Sequence, residues 1–229
     1  MLTKIKVLNI TFENDLSFND ITKFRGAIIN SLEDKEISFL FHNHTQDGFR
    51  YKYPLIQYKV YNKKAGILCI EEGTEQIHNY FNSSNHNLMI GDKKEEFKIE
   101  SINLNQFTMQ VWDKWFNYSI INWLALNSDN YKKYEELNSE FEKDEFLENL
   151  LKANILSFAK GIDWTIDKPI NVRINEIQSI RKIKYKDQLR LSFNINFKTN
   201  VFLPNYIGLG KGVSIGYGTV KQIYNNENK

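Results

Sequence analysis

An α+β chain of two tandem domains is predicted by three observations. Short β-rich apolar runs alternate with segments of helical apolar spacing, and the alternation restarts after residue 102. The hydrophobic and aromatic fractions, 41% and 14%, also suffice for packed cores. The predicted domains are 1–102 and 103–229.

Residues 4–12 form the first strand, with Leu8, Ile10 and Phe12 on one face. Asn14-Asp15 turns the chain. Ser17 followed by Asp20 predicts a capping box, and Ile21, Phe24, Ile28 and Leu32 then recur at helical spacing. Residues 37–41 are a short apolar strand. A polar loop over 42–52 leads into a hairpin of 54–61 and 67–70, turning at Asn62-Lys63-Lys64. A short helix over 73–81 and a strand over 97–102 complete a β-α-β-β-α-β order, the ferredoxin-like (RRM-like) plan.

The second half opens with strand segments between 104 and 126. Acidic residues dominate 135–148 and predict a solvated helical face, turned away from any polyanion. Leu147, Leu150, Leu151, Ile155 and Phe158 mark a strongly periodic helix, with Gly161 near its end. Two long extended segments, 170–183 and 188–202, are joined through Lys184-Tyr185-Lys186-Asp187. A glycine-rich loop and a last strand over 219–223 finish a second two-layer α+β domain. Trp112, Trp115, Trp123 and Trp164 lie among apolar residues and are expected in the core.

No apolar run is long enough for a membrane helix, and the first residues, with Lys4-Ile5-Lys6, do not read as a secretory signal. The single cysteine, Cys69, sits in an apolar run and reads as a core residue. A reducing cytoplasm and no membrane are the expectation. The net charge of +2 hides an asymmetry: residues 149–229 carry 13 Lys/Arg against 5 Asp/Glu, whereas 1–148 carry 17 against 23. The basic C-terminal third suits an acidic partner.

Residues 208–218 read Gly-Leu-Gly-Lys-Gly-Val-Ser-Ile-Gly-Tyr-Gly. Glycines at that density permit positive φ and close backbone approach, and successive amides beside Lys211 can cradle a phosphate. A glycine-rich turn before the last strand is the plainer reading. Walker and Rossmann fingerprints both fail: Gly212 follows Lys211 where Ser or Thr is required, and neither Gly208 nor Gly210 starts a Gly-x-Gly-x-x-Gly run.

The spacing Gly208-Leu209-Gly210, five residues including Lys211, then Gly216-Tyr217-Gly218 resembles the C-terminal glycine loop of the CRISPR repeat-processing endoribonucleases. These belong to the repeat-associated mysterious protein superfamily. The preceding run, 199–207, resembles their bacterial type I-B subgroup. The resemblance implies tandem ferredoxin-like domains, RNA contact at Gly208, Gly210, Lys211, Gly212, Gly216 and Gly218, and a role in antiviral defence. Binding-only relatives carry similar loops, so a non-catalytic guide-RNA-binding subunit of an effector complex is the alternative.

A second cluster carries the candidate chemistry. His42 and His44 would share a face if extended, with Arg50, Tyr51, Lys52 and Tyr53 close behind. Cleavage of RNA by its own 2′-hydroxyl needs a base, an acid and a charge stabiliser, and histidine titrates near neutrality. The resembled family commonly places a catalytic histidine in or after the first helix. His44 is therefore the preferred catalytic residue, with His42 its partner, Tyr51 a positioning or acid candidate, and Lys52 and Arg50 weaker candidates for charge stabilisation. Which histidine is base stays open. The resemblance and the 2′-hydroxyl route imply 5′-hydroxyl and 2′,3′-cyclic phosphate ends, and no cofactor. A metal site built on His42, His44 and Asp47 is poorly supplied, since only His78 and His86 remain.

Arg173, Arg181, Lys182, Lys184, Lys186 and Arg190 gather along the long strand pair. They suit an RNA backbone, with edge-strand protection by cations as the plainer alternative. The expected partner is CRISPR repeat RNA, with other effector subunits and a homodimer as further expectations.

Overall fold

The computed structural model describes residues 3–32, 53–82 and 87–224. Two compact units divide between Thr108 and Met109, and the short segment Ser214–Gly216 groups with the first. Residue 102, the expected boundary, lies inside a strand that runs to Met109.

The first unit contains β1 (Thr3–Asp15), α1 (Ile21–Asn30), β2 (Ile56–Tyr61), β3 (Lys64–Ile70), α2 (Glu72–Gln76) and α3 (His78–Asn82). A small hairpin, β4 (Asn87–Ile90) with β5 (Lys93–Glu96), precedes β6 (Ile99–Met109). The sheet order β2-β3-β1-β6 is the ferredoxin-like arrangement, in which the last strand lies beside the first. The β2–β3 turn is tight because Asn62 and Lys63 both take positive φ, 48° and 73°, as a two-residue primed hairpin turn requires. The expected 73–81 helix is two short helices instead.

Leu8, Ile10 and Phe12 point into the core as their alternation predicts, and Phe24 of α1 stacks on Phe97 with centroids 5.3 Å apart. The start of α1 differs from expectation. Ser17 caps a short 3-10 turn, Phe18–Asp20, by accepting from the Asn19 amide. Asp20 pairs with Lys23 at 2.8 Å instead of closing a capping box. The strand expected over 37–41 lies outside the described residues.

The second unit repeats the plan. It contains β7 (Val111–Trp123), α4 (Ser128–Glu136), α5 (Glu140–Gly161), β8 (Val172–Tyr185), β9 (Gln188–Val201) and β10 (Thr219–Ile223). Its sheet order, β10-β7-β9-β8, is again ferredoxin-like. A capping box starts α5, where Ser139 and Glu142 satisfy each other's backbone amides. Leu147, Leu151, Ile155 and Phe158 of α5 are fully buried, and Phe193, Ile195 and Phe197 of β9 are buried with them. Between β9 and β10, where the plan has its second helix, stand the glycine-rich loop and a 3-10 turn over Val213–Ile215. That substitution gives the loop its place beside the sheet.

Among the described residues no helix is long and apolar enough to cross a membrane.

Candidate nucleic-acid interface

The β8–β9 hairpin closes on Lys186 and Asp187, both at positive φ, 46° and 60°. The tight turn keeps the ladder regular from Arg181↔Ser192 to Tyr185↔Gln188. Side chains alternate along this ladder, and directly paired residues share a face. One face therefore carries Arg181, Ile183, Tyr185 and Arg190, whereas Lys182, Lys184 and Leu189 occupy the other. The six basic residues predicted from sequence do not converge.

The first of these faces meets the glycine loop. Tyr185 contacts Tyr217 edge-on, with centroids 5.3 Å apart and planes at 89°. Gly212 lies against both rings: a Cβ there would stand 2.9 Å from Tyr217 Cδ2 and 3.0 Å from Tyr185 Cε2. Three cations surround this junction. The exposed Lys211 amine is held below the usual lysine range by partial desolvation, then by the charges of Arg190 and Lys186. Lys186 also lies 6.0 Å from the Tyr185 ring centroid. Arg190 donates to the Leu126 carbonyl at 3.5 Å and to Gln188 Oε1, which fixes its guanidinium. Three like charges held near one another are a site for a polyanion.

The loop is held by its own backbone. The Leu209 amide donates to the Gly218 carbonyl at 2.8 Å, and the Gly218 amide donates to the Asn122 carbonyl at 3.1 Å. The Lys211 amide donates to the Leu124 carbonyl at 3.3 Å, and the Tyr217 amide to the Gly212 carbonyl at 3.3 Å. These four amides serve the fold, and the exposed Lys211 side chain adds a cation to the loop. Gly218 shows why glycine is needed: at φ +61°, a Cβ would lie 1.8 Å from the Leu209 carbonyl oxygen. Gly208 is buried and bridges Thr219, Gly210 sits over Trp123, and Gly216 and Ile215 pack with residues of the first unit.

Other predicted residues are placed differently. Arg181 and Lys182 are exposed. Lys184 pairs with Asp187 at 3.0 Å, both ends exposed. Arg173 donates to Glu148 at 3.0 Å, and Glu148 also accepts the Ile174 amide at 2.9 Å. The expectation that 135–148 is wholly solvated fails at Glu148, which is buried because it caps the edge of β8. Glu148 and Glu145 also share a recess with Arg173, so this end of the acidic segment faces a predicted contact residue. Trp123 and Trp164 are buried as expected, but Trp115 is 45% exposed. In the sequence Tyr185 reads only as part of a connector, and no periodicity marks it as a partner of Tyr217.

His44, His42, Arg50, Tyr51, Lys52, Asp47 and His86 lie outside the described residues. Just after them, Tyr53 is buried and accepts from Gln57 Nε2 at 2.9 Å. His78 lies on α3 with Phe81 at 6.2 Å between centroids.

Both halves of the chain match known families. Residues 3–108 match the Cas6b N-terminal domain, and residues 110–223 match the Cas6b C-terminal domain. A crystal structure of Cas6b is similar with a TM-score of 0.86 at 29% identity, covering 96% of this chain and 100% of that one. A crystal structure of the CRISPR RNA processing endoribonuclease Cas6b gives a TM-score of 0.71 at 28% identity over the same shares, 96% and 100%. The uncharacterized protein MJ0978 of Methanocaldococcus jannaschii is 36% identical over 114 residues, 49% of this chain and 76% of that protein. With both domain families matched in order, the chain belongs to the Cas6b family of Cas6-type CRISPR repeat-processing endoribonucleases.

Proposed function

We propose that this protein binds CRISPR repeat RNA along the Arg181–Tyr185–Arg190 face of its hairpin and cuts it without a metal. The observation that carries this reading is the junction of Tyr185, Gly212 and Tyr217 with Lys186, Arg190 and Lys211 around it. In a chain of this family, that junction is suited to phosphates of a repeat.

The chemistry assigned to it is internal attack. A base, His44 or His42, removes the proton of the 2′-hydroxyl. The 2′-oxygen then bonds to the adjacent phosphorus, and the bond from phosphorus to the 5′-oxygen breaks. The second histidine or Tyr51 returns a proton to the leaving 5′-oxygen, while Lys52 or Arg50 offsets the charge on the phosphorane. Atoms balance with a 2′,3′-cyclic phosphate on one product and a 5′-hydroxyl on the other. No water and no metal is consumed.

The test is single-turnover cleavage of the host repeat RNA in excess EDTA, beside a substrate with deoxyribose immediately 5′ of the cut. Undiminished cutting in EDTA and none of the deoxy substrate is the expected pair. A requirement for added divalent metal, or cutting of the deoxy substrate, overturns the mechanism. Binding without any cutting would return the chain to a guide-binding role.

A further inference from the structure

We infer that Trp115 forms a stacking subsite for an unpaired nucleotide of the RNA, away from the hairpin junction. The inference rests on the RNA-binding reading above and extends it to a place no sequence motif marks.

Trp115 belongs to an irregular stretch of β7. Between two cross-strand pairs, Val111↔Val201 and Phe116↔Thr199, β7 advances five residues while β9 advances two. Bulges of this kind re-aim side chains and recur beside binding sites. The indole is 45% exposed, in an exposed run over 113–115 that lies between buried Val111 and Tyr118. Leaving so large an apolar ring half in water has a cost that a stacked partner would remove.

The surroundings favour a nucleotide over an apolar guest. Lys198 Nζ lies 5.2 Å from the Trp115 ring centroid, so a cation already borders the ring. Trp115 lines one recess with Lys152 and Arg173. The Arg173 side chain is 63% exposed yet held by buried Glu148, which leaves its other guanidinium nitrogens in a fixed direction. Glu148 is consumed by Arg173 and the Ile174 amide, so Glu145 is the carboxylate that still opposes an anion here. With Arg173 and Glu148 neutralising each other, Lys152 and Lys198 outweigh it. An aromatic platform beside cations is the arrangement that holds single-stranded nucleic acid with little sequence preference.

The test compares the parent with Trp115→Ala, Trp115→Phe and Lys198→Gln. Affinity is read by anisotropy on two labelled probes, the host repeat RNA and an octamer of uridine, with quenching of intrinsic tryptophan fluorescence followed in parallel. Trp115→Ala should weaken both probes on the order of 10-fold, and Trp115→Phe should recover most of that loss. Part of the quench seen in the parent should vanish in Trp115→Phe. Lys198→Gln should reduce affinity less, and more at low salt. Trp115→Ala variants that bind both probes like the parent, with circular dichroism unchanged, overturn the subsite. So does unchanged RNA affinity with an altered oligomeric state in gel filtration, which would make the patch a protein interface. A parent that fails to bind repeat RNA at all overturns the RNA-binding reading itself, and is told apart because no variant comparison then exists.

Discussion

Tyr185, at the tip of β8, meets Tyr217 of the glycine loop edge-on, with ring centroids 5.3 Å apart. Gly212 fits between them because it has no side chain. The contact joins two features that lie apart in sequence, the basic hairpin and the glycine loop, into one surface of the C-terminal unit.

Gly212→Ala should therefore pry this surface open. The residue sits at φ +74°, where an L side chain costs about 1–2 kcal/mol, and its Cβ would press on both tyrosines. RNA affinity should fall measurably while the thermal midpoint drops modestly. Gly218→Ala should cost more stability, because its Cβ would lie 1.8 Å from a backbone oxygen that cannot rotate away. Thermal unfolding beside RNA titration separates the two. Equal midpoints for both variants would count against this ranking.

Arg181 and Lys182 are adjacent, exposed, and on opposite faces of the hairpin. Arg181 shares its face with Arg190 and Tyr185, and the glycine loop lies against that face. Arg181→Gln should thus weaken repeat-RNA binding and lower its salt slope by about one counterion. Lys182→Gln should do less of both. Affinity measured across a salt series decides it, and a larger effect from Lys182 would move the RNA to the Leu189 face.

Much of the architecture was legible because local rules and the fold agree. The 2-residue period of Leu8, Ile10 and Phe12, and the helical period of Leu147, Leu151, Ile155 and Phe158, each found its core. What escaped depends on pairing between distant segments. Glu148 looks like any acidic surface residue until β8 brings the Ile174 amide to it. Trp115 reads as core because nothing local reveals the uneven advance of β7 against β9. The basic cluster looked coherent in sequence, but the period-two alternation along β8 divides it.

The His44→Ala variant should lose cleavage by roughly 10²–10⁴-fold, the usual worth of a positioned acid or base, yet keep its affinity for repeat RNA. His42→Ala and Tyr51→Phe should lose less. Saturating single-turnover rates are the readout, because they remove any difference in binding. A folded His44→Ala protein that cuts at the parent rate would shift the proton-transfer role to another residue.

Lys59 supplies a prediction about stability. It is 1% exposed on β2, and burial lowers its pKa from 10.5 to about 7. Below about pH 7 the amine is protonated in both folded and unfolded chains, so it contributes no slope there. Between about 7 and 10.5 the unfolded chain holds a proton that the folded chain has released, and stability rises with pH. The slope within that window approaches about 1.4 kcal/mol per pH unit from this group alone. Lys59→Met keeps the volume and removes the titration, so its stability curve should be flatter over the same window. The difference between the parent and Lys59→Met in urea unfolding at pH 7 and pH 9 isolates this residue from the other groups that titrate. If that difference stays constant between the two pH values, Lys59 is not held near neutrality, and its amine stays charged inside the fold.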